Sequence, residues 1–138
     1  MTGNYDHKID DKGRLFIPST LRDELGEVFF VTISDENCLN AFSNSSWQNF
    51  IERNKERPLS QQRRLRMIFS NAARCELDRQ GRFPLPQRLR DRIGLQKDVT
   101  VVGAGAFIQF WEPETYKAIA EQEAAPDNIA EVLDELNF

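Results

Sequence analysis

Two short polar turns, one over residues 10–14 and the other over residues 78–82, carry the side chains best suited to bind an anion. Their basic residues are Lys12, Arg14, Arg79 and Arg82. The planar guanidinium of arginine donates paired hydrogen bonds to phosphate oxygens and to the edge of guanine. The pattern therefore predicts that both turns contact an anionic partner.

The same turns also allow an internal role for their arginines. Asp10 precedes Arg14 by four residues, and Asp78 precedes Arg82 by four. Each carboxylate could therefore pair with its own arginine and fix the shape of the turn. The residues predicted to be structural are Asp10, Gly13, Asp78 and Gly81. The spacing leaves both roles open, and one arginine can serve both.

Further arginines lie on the predicted helices that follow the turns. Arg22 is in the first helix, and Arg88, Arg90 and Arg92 alternate through the second. A solvated face is the ordinary role of such residues, but three alternating arginines exceed what solubility needs. We therefore predict nucleic-acid contact for Arg22 and Arg90. A third group, facing either nucleic acid or the acids of a neighbouring subunit, comprises Arg63, Arg64 and Arg66.

No other residues have the types and spacing of a catalytic or metal site. One histidine and two cysteines are too few and too far apart to bind zinc. We predict that His7 and Cys75 are strand residues, that Cys38 and Cys75 are buried free thiols, and that Gly103–Gly105 is a hairpin turn. The protein is thus predicted to be no enzyme, with no cofactor, no metal and no small-molecule substrate.

Each polar turn is placed by the same order of elements. Residues 15–17 are apolar strand formers, Pro18 cannot donate to a sheet ladder, and a short helix over 19–25 ends near Gly26. The same order recurs 68 residues later without a gap, from Asp78 onward. The sequence therefore predicts two copies of one supersecondary unit.

The charge distribution follows this duplicated organisation. We predict a first repeat over 5–54, a connecting helix over 55–72, a second repeat over 73–122 and an acidic tail over 123–138. The net charge is −4, yet twelve lysines and arginines face four acids between residues 53 and 92, a local net charge of +8. After Trp111, eight acids face one lysine. The net charge argues against a simple basic nucleic-acid binder, but a basic middle and an acidic tail give the molecule a directed field that the net charge hides.

Apolar runs and capping residues predict the remaining elements. Strands are predicted over 5–9, 14–17, 28–33 and 38–42, and helices from Asn44, Ser45 or Ser46, from Ser60 to about Ser70, and from Glu112. The last segment, 129–136, is either a short amphipathic helix or a disordered tail. No apolar run is long enough to span a membrane, and Met1–Asn4 lacks the pattern of a signal peptide.

The doubled Asp-x-x-Gly-Arg turn, each copy followed by an apolar strand, a proline and a helix containing Leu-Arg-Asp, resembles the MraZ family of AbrB-like bacterial DNA-binding proteins. The likeness extends from Tyr5 to about Tyr116 and includes the segment Phe69–Asp78. It implies an α+β fold, namely a double-split β-barrel built in one chain from two pseudo-symmetric AbrB-like repeats with flanking helices.

The resemblance also implies a function. It implies a transcriptional regulator, usually a repressor, of the bacterial division and cell-wall gene cluster. Such a regulator binds short direct repeats of double-stranded promoter DNA as a homo-oligomeric ring, in the cytoplasm and associated with the nucleoid. DNA contact is implied first for Arg14 and Arg82, and then for Lys12 and Arg79.

Two residues distinguish the second repeat from the first. Pro84 predicts an edge or bulged strand, and Gln80 stands where the first repeat has Lys12. We therefore expect the two turns to contribute unequally to binding. The alternative function is an AbrB-like protein-interaction module, such as an antitoxin-type partner, whose acidic tail docks on a basic protein.

Overall fold

The computed structural model describes residues 1–137, and within them the chain is an α+β protein with eight strands and seven helices. The strands are β1 (Asn4–Lys8), β2 (Arg14–Phe16), β3 (Val28–Ile33), β4 (Leu39–Ser43), β5 (Ala73–Glu76), β6 (Arg82–Pro84), β7 (Asp98–Gly103) and β8 (Ile108–Trp111). The helices are α1 (Ser19–Leu25), α2 (Asn44–Asn54), α3 (Leu59–Arg64), α4 (Arg66–Ser70), α5 (Gln87–Arg92), α6 (Pro113–Glu123) and α7 (Pro126–Glu135). The predicted α+β class is confirmed.

The strands form two antiparallel sheets to which both parts of the sequence contribute. The larger sheet has the order β1-β7-β8-β4-β3-β5, and the smaller one pairs β2 with β6. We call residues 5–54 the first half and residues 73–122 the second half. β1 of the first half pairs with β7 of the second, and β5 of the second pairs with β3 of the first. Both sheets therefore depend on strands from both halves.

Two equivalent backbone hydrogen bonds connect each turn to the opposite half. The Ile17 N–H donates to the Gly81 carbonyl at 2.9 Å, and the Leu85 N–H donates to the Gly13 carbonyl at 3.0 Å. Donors and acceptors are each 68 residues apart in the sequence. The two bonds are therefore counterparts in a pseudo-two-fold arrangement.

The core lies between the two sheets and contains side chains from both halves. Leu15 and Phe83 form the central pair of the smaller sheet, and both are fully buried. The Phe83 ring lies 4.9 Å from that of Phe29, edge to face, and 5.8 Å from that of Phe110. Burial of each such side chain contributes about 1.5–3 kcal/mol. The halves therefore share one core.

Several predicted elements are confirmed. The helix over 19–25 is α1, the strand over 28–33 is β3, and the last segment is helical as α7. The Gly103–Gly105 turn is a hairpin turn, in which the Ala104 N–H bonds the Phe107 carbonyl at 2.9 Å. No helix within residues 1–137 combines the length and apolarity needed to cross a membrane.

The predicted N-cap of α2 is wrong. The candidates were Asn44, Ser45 and Ser46, but the cap is Ser43, whose hydroxyl accepts from the Ser46 N–H at 3.2 Å. Ser43 is also the last residue of β4, and its backbone is still extended (φ −58°, ψ 157°). Its side chain can therefore reach the first turn, because the strand passes directly into the helix.

The predicted single helix over 60–70 is also wrong, because it is two helices. α3 begins one residue before Ser60, and the chain bends at Leu65 (φ −82°, ψ −8°) before α4. The bend places α4 against β3, where the Thr32 hydroxyl donates to the Ile68 carbonyl at 2.6 Å. A tertiary contact therefore interrupts a segment whose apolar spacing is helical throughout.

Candidate nucleic-acid interface

The smaller sheet is a two-stranded ribbon with two arginines on its outer face. Arg14 pairs with Pro84, and Phe16 pairs with Arg82. Side chains alternate along a strand, so burial of the central pair places these four residues on the opposite face. We call this face the arginine ribbon. The structure thus brings together the two arginines that the sequence predicts as first contacts, with 28% and 30% of their side chains exposed.

The first polar turn is organised around the Asp10 carboxylate. One carboxylate oxygen accepts from the Lys12 N–H at 3.0 Å and from the Arg14 N–H at 2.9 Å. The other accepts from the Arg14 Nε at 2.8 Å. Gly13 adopts φ +75°, a conformation that glycine reaches without a steric cost. Asp10 therefore fixes both the turn and the position of the arginine.

The second turn repeats this arrangement around Asp78. Its carboxylate accepts from the N–H groups of Gln80 and Arg82, both at 2.9 Å, and from the Arg82 Nε at 3.2 Å. Gly81 has φ +80°. The internal pairing that the sequence allowed is therefore present in both turns.

Both turn aspartates are charged at neutral pH. The backbone hydrogen bond from Arg14 holds the pKa of Asp10 below its usual range, and the side chain of Arg14 adds to this effect. The backbone N–H of Arg82 lowers the pKa of Asp78 in the same way. A hydrogen bond to the ionised form favours that form. Each arginine therefore faces a permanent negative charge within its own turn.

The pairing still leaves donors free on both arginines. Each binds its own aspartate through Nε, and the terminal nitrogens of Arg14 have no hydrogen-bond partner within residues 1–137. One terminal nitrogen of Arg82 lies 3.9 Å from the Asp10 carboxylate. The terminal nitrogens are the ones that form a paired contact with phosphate or guanine. Internal pairing and external contact are thus compatible.

Arg22 and Arg90 lie behind the turns and are half-buried. The Arg22 Nε donates to the Ile17 carbonyl at 2.7 Å, and the Arg90 Nε donates to the Leu85 carbonyl at 2.9 Å. Both predicted contact residues are therefore held by backbone groups.

The remaining predicted contacts are at the tips of the turns. Lys12 and Arg79 are exposed, and neither side chain forms an ion pair in the part of the chain that the structure describes. On α5, Arg88 donates to the Asn71 carbonyl at 3.1 Å, whereas Arg92 is exposed. Lys12 and Arg79 therefore place exposed positive charges at the turn tips beside the arginine ribbon.

Sequence reasoning missed Phe16 as a surface residue. Its ring lies 5.1 Å from that of His7, and the Arg22 guanidinium lies 4.6 Å from its centroid. The signal that could have identified it is the two-residue alternation, because buried Leu15 and Ile17 on either side place Phe16 on the outer face. Phe16 therefore adds an apolar contact group to a basic surface.

The thiols and the histidine have structural positions. Cys38 and Cys75 are buried and free, as predicted, and burial raises their pKa values to about 11 and about 12. His7 lies in β1 and Cys75 in β5, which confirms both as strand residues. No three potential metal ligands lie together among the residues described. These thiols are protonated at neutral pH and are poor nucleophiles.

The fold and this surface define a class, namely a pseudo-symmetric α+β protein that presents a basic two-stranded ribbon. A family model described as "MraZ protein, putative antitoxin-like" matches residues 1–66 and again residues 68–135. The chain belongs to the MraZ family, which confirms the resemblance found in the sequence.

Similar proteins cover the chain almost completely. The protein named Transcriptional regulator MraZ of Lachnoclostridium phytofermentans is 39% identical over 98% of this chain and 94% of its own length. The protein of the same name from Caldicellulosiruptor bescii is 37% identical over 100% of this chain and 99% of its own. The protein of the same name from Heliobacterium modesticaldum is 40% identical over 95% of this chain and 94% of its own length.

Proposed function

We propose that this protein is a DNA-binding transcriptional regulator that contacts DNA through the arginine ribbon. The observation that carries the proposal is the pair of arginines on one face of a two-stranded antiparallel ribbon. A ribbon of this kind fits the major groove of B-DNA, where arginine binds guanine in a bidentate manner. The name Transcriptional regulator shared by its relatives supports the same conclusion.

The contact residues divide into two roles. Arg14 and Arg82 reach base edges, because the ribbon fixes their backbones and each binds its own aspartate through Nε, which leaves the terminal nitrogens as donors. Lys12 and Arg79 neutralise phosphates on either side, because both lie at exposed turn tips. Phosphate contacts set the register of a protein on the duplex, and base contacts specify the sequence.

The finer features that the family resemblance implies are part of the same proposal. They comprise a double-split β-barrel made of repeats over 5–54 and 73–122, and repression of the division and cell-wall gene cluster from short direct repeats in its promoter. The site of action would be the nucleoid in the cytoplasm, where that DNA lies. Support for the barrel comes from the exchange of strands between the halves.

We further propose a homo-oligomer in the form of a ring. α7 and its C-cap residue present an exposed apolar stripe at helical spacing, formed by Ile129, Val132, Leu133 and Leu136. The α3–α4 segment exposes three arginines, whereas α7 is acidic, so copies of the chain have complementary surfaces. Several ribbons on one assembly would convert weak single contacts into useful affinity.

The test is a titration of the protein against the DNA upstream of its own gene at several salt concentrations. An unrelated duplex of equal length is the control. We expect tighter binding to the upstream DNA and a log–log salt slope of about −0.9 for each phosphate neutralised. Equal binding to both duplexes would contradict the proposal of a sequence-specific transcriptional regulator, but it would not bear on the fold.

An antitoxin-type interaction module is the second candidate, and the words "putative antitoxin-like" in the family description favour it. The structure adds a groove of about 830 Å³ beside α2, whose lining includes Trp47, Phe50 and Ile68. A chain truncated before α7 distinguishes the candidates. Loss of a co-purifying basic protein with unchanged DNA binding would favour the interaction module.

A further inference from the structure

We propose that Arg22 and Arg90 are positioning residues that act across the two halves of the molecule. Arg22 holds the turn that carries Arg82, and Arg90 holds the turn that carries Arg14. The inference deepens the proposed function, because it states what keeps the DNA-contacting arginines in place. It also differs from direct DNA contact by Arg22 and Arg90, the role predicted from the sequence.

Each positioning arginine is fixed first within its own half. The Arg22 Nε donates to the Ile17 carbonyl at 2.7 Å, and the Arg90 Nε donates to the Leu85 carbonyl at 2.9 Å. In both cases the acceptor is five residues earlier, where the strand passes into the helix. This bond fixes the Nε end of each guanidinium beside its own strand.

The guanidinium then lies against the glycine of the opposite turn. A Cβ atom added to Gly13 would lie 2.8 Å from an Arg90 terminal nitrogen. A Cβ atom added to Gly81 would overlap the Arg22 guanidinium. The two glycines thus have a second function besides their positive φ, because their missing side chains leave the space that the arginines occupy.

The backbone closes each of these contacts into a small cycle. The Ile17 N–H donates to the Gly81 carbonyl, the Ile17 carbonyl accepts from Arg22, and Arg22 packs back on Gly81. The counterpart cycle has the same three contacts and is formed by Leu85, Arg90 and Gly13. The same cycle built twice from residues 68 apart indicates a defined structural unit rather than a chance contact.

The consequence is a crossed dependence. Arg82 directly follows Gly81, so a change at Arg22 in the first half moves the arginine of the second. Arg14 directly follows Gly13, so a change at Arg90 in the second half moves Arg14 in the first half. If Arg22 and Arg90 only contacted DNA directly, a change at either one would not displace the ribbon arginine of the opposite half.

Lysine substitutions test this without removing charge. Lysine has no planar fork, so it cannot bond the carbonyl and lie flat on a glycine at once. We expect Arg22→Lys to shift the amide NMR signals of residues 78–82 and to speed their hydrogen exchange, with a smaller effect on the turn at 10–14. Arg90→Lys should do the opposite. Arg92→Lys, an exposed substitution on α5, is the control and should alter neither turn.

This measurement needs no DNA, so it stands even if the regulator proposal fails. If each lysine variant perturbs only the turn of its own half, the contact between each arginine and the glycine of the opposite turn does not position that turn, and the proposal is wrong. If both variants leave both turns unchanged, the positioning role is excluded. Far-ultraviolet circular dichroism confirms in each case that the variant is folded.

A double-mutant cycle on DNA affinity then tests the consequence for binding. The affinity cost of Arg82→Ala should be smaller by at least about threefold in the Arg22→Lys background, because Arg82 is already displaced. The cost of Arg14→Ala in that background should change less than that of Arg82→Ala, although both arginines lie within reach of Asp10. Additive costs in both pairs would overturn the positioning role in binding.

Discussion

The two polar turns share one backbone design and differ in the surface that they present. Asp10 and Asp78 accept the same three kinds of hydrogen bond, and both turns contain a glycine with positive φ. The tips differ, because Asp11-Lys12 of the first turn corresponds to Arg79-Gln80 of the second. The backbone pattern thus sets where the ribbon lies, and the variable residues set what it can recognise.

The ends of the two ribbon strands differ more than the turns. Phe16 of the first half contacts His7 and the Arg22 guanidinium. The counterpart of Phe16 is Pro84, and that of His7 is Cys75. Arg90 therefore has no aromatic ring at the equivalent place. The ribbon is pseudo-symmetric in its backbone but asymmetric in its chemistry, so we expect it to read unlike base pairs on its two sides.

The largest predicted effect tests whether the halves are as separate as the repeat pattern implies. Phe83→Ala should lower the free energy of unfolding by about 3–5 kcal/mol, and Leu15→Ala by about 2–5 kcal/mol. Because the two side chains share one core, each variant should melt in a single transition in calorimetry. Two separate transitions would mean that the halves fold independently. Glu56→Ala, on an exposed site, is the control.

The next effect compares the two ribbon arginines in DNA binding. Arg14→Ala and Arg82→Ala should each weaken binding by about tenfold, within the range for one bidentate base contact. Arg14 should cost more, since Arg82 also faces Asp10 at 3.9 Å and part of its charge is balanced internally. Anisotropy titrations measure the affinities, and melting temperatures show whether the fold is intact.

The same two alanine variants also test whether Arg14 and Arg82 only stabilise their own turns. If both alanine variants melt well below the wild type and bind DNA normally once folded, the arginines serve only to brace the turns. Arg92→Ala provides a matched control, because it removes one exposed positive charge from α5 and not from the ribbon. Its effect on binding should be small and should decrease further with added salt.

The sequence predicts the local units well because their signals are local. In each repeat the aspartate and glycine specify the turn, and the proline that follows specifies the end of the strand and the start of the helix, α1 in the first repeat and α5 in the second. The 68-residue repeat places equivalent residues without any structure. The sequence does not predict the strand pairing, because no local pattern of residues shows that β1 pairs with β7 rather than with β2.

The candidate site is predictable to the same extent. Arg14 and Arg82 are identified from residue type and turn chemistry, and the structure adds that they share one ribbon. The environments of Arg22 and Arg90 depend on an approach between segments about 60–80 residues apart in sequence, which no spacing rule encodes. The bend at Leu65 accompanies a tertiary contact of α4 with β3, whereas the cap at Ser43 depends on the direct passage of β4 into α2.

A smaller effect separates the two positioning arginines in stability. Arg22→Ala should cost more than Arg90→Ala, by about 0.5–1 kcal/mol, because, within residues 1–137, Arg22 lies over an aromatic ring and Arg90 does not. Urea unfolding of both variants measures the difference. Repeating it in a Phe16→Leu background is the sharper test, since the difference should then shrink. An unchanged difference would assign it to another contact of Arg22.

The smallest effect is a difference in the acid dependence of stability. Both turn aspartates have a pKa below that of the unfolded chain, so the unfolded state binds more protons as the pH decreases below about 4. Their contribution to stability is present above the unfolded pKa and is lost as the pH falls through the folded pKa. Asp10→Asn and Asp78→Asn should each flatten the decrease in stability between about pH 5 and pH 3. The flattening should be greater for Asp10, because that carboxylate faces Arg14 at 2.8 Å and also Arg82. Equal flattening would show that the backbone N–H donors alone set both pKa values, and that the contact between Asp10 and Arg82 has no energetic consequence.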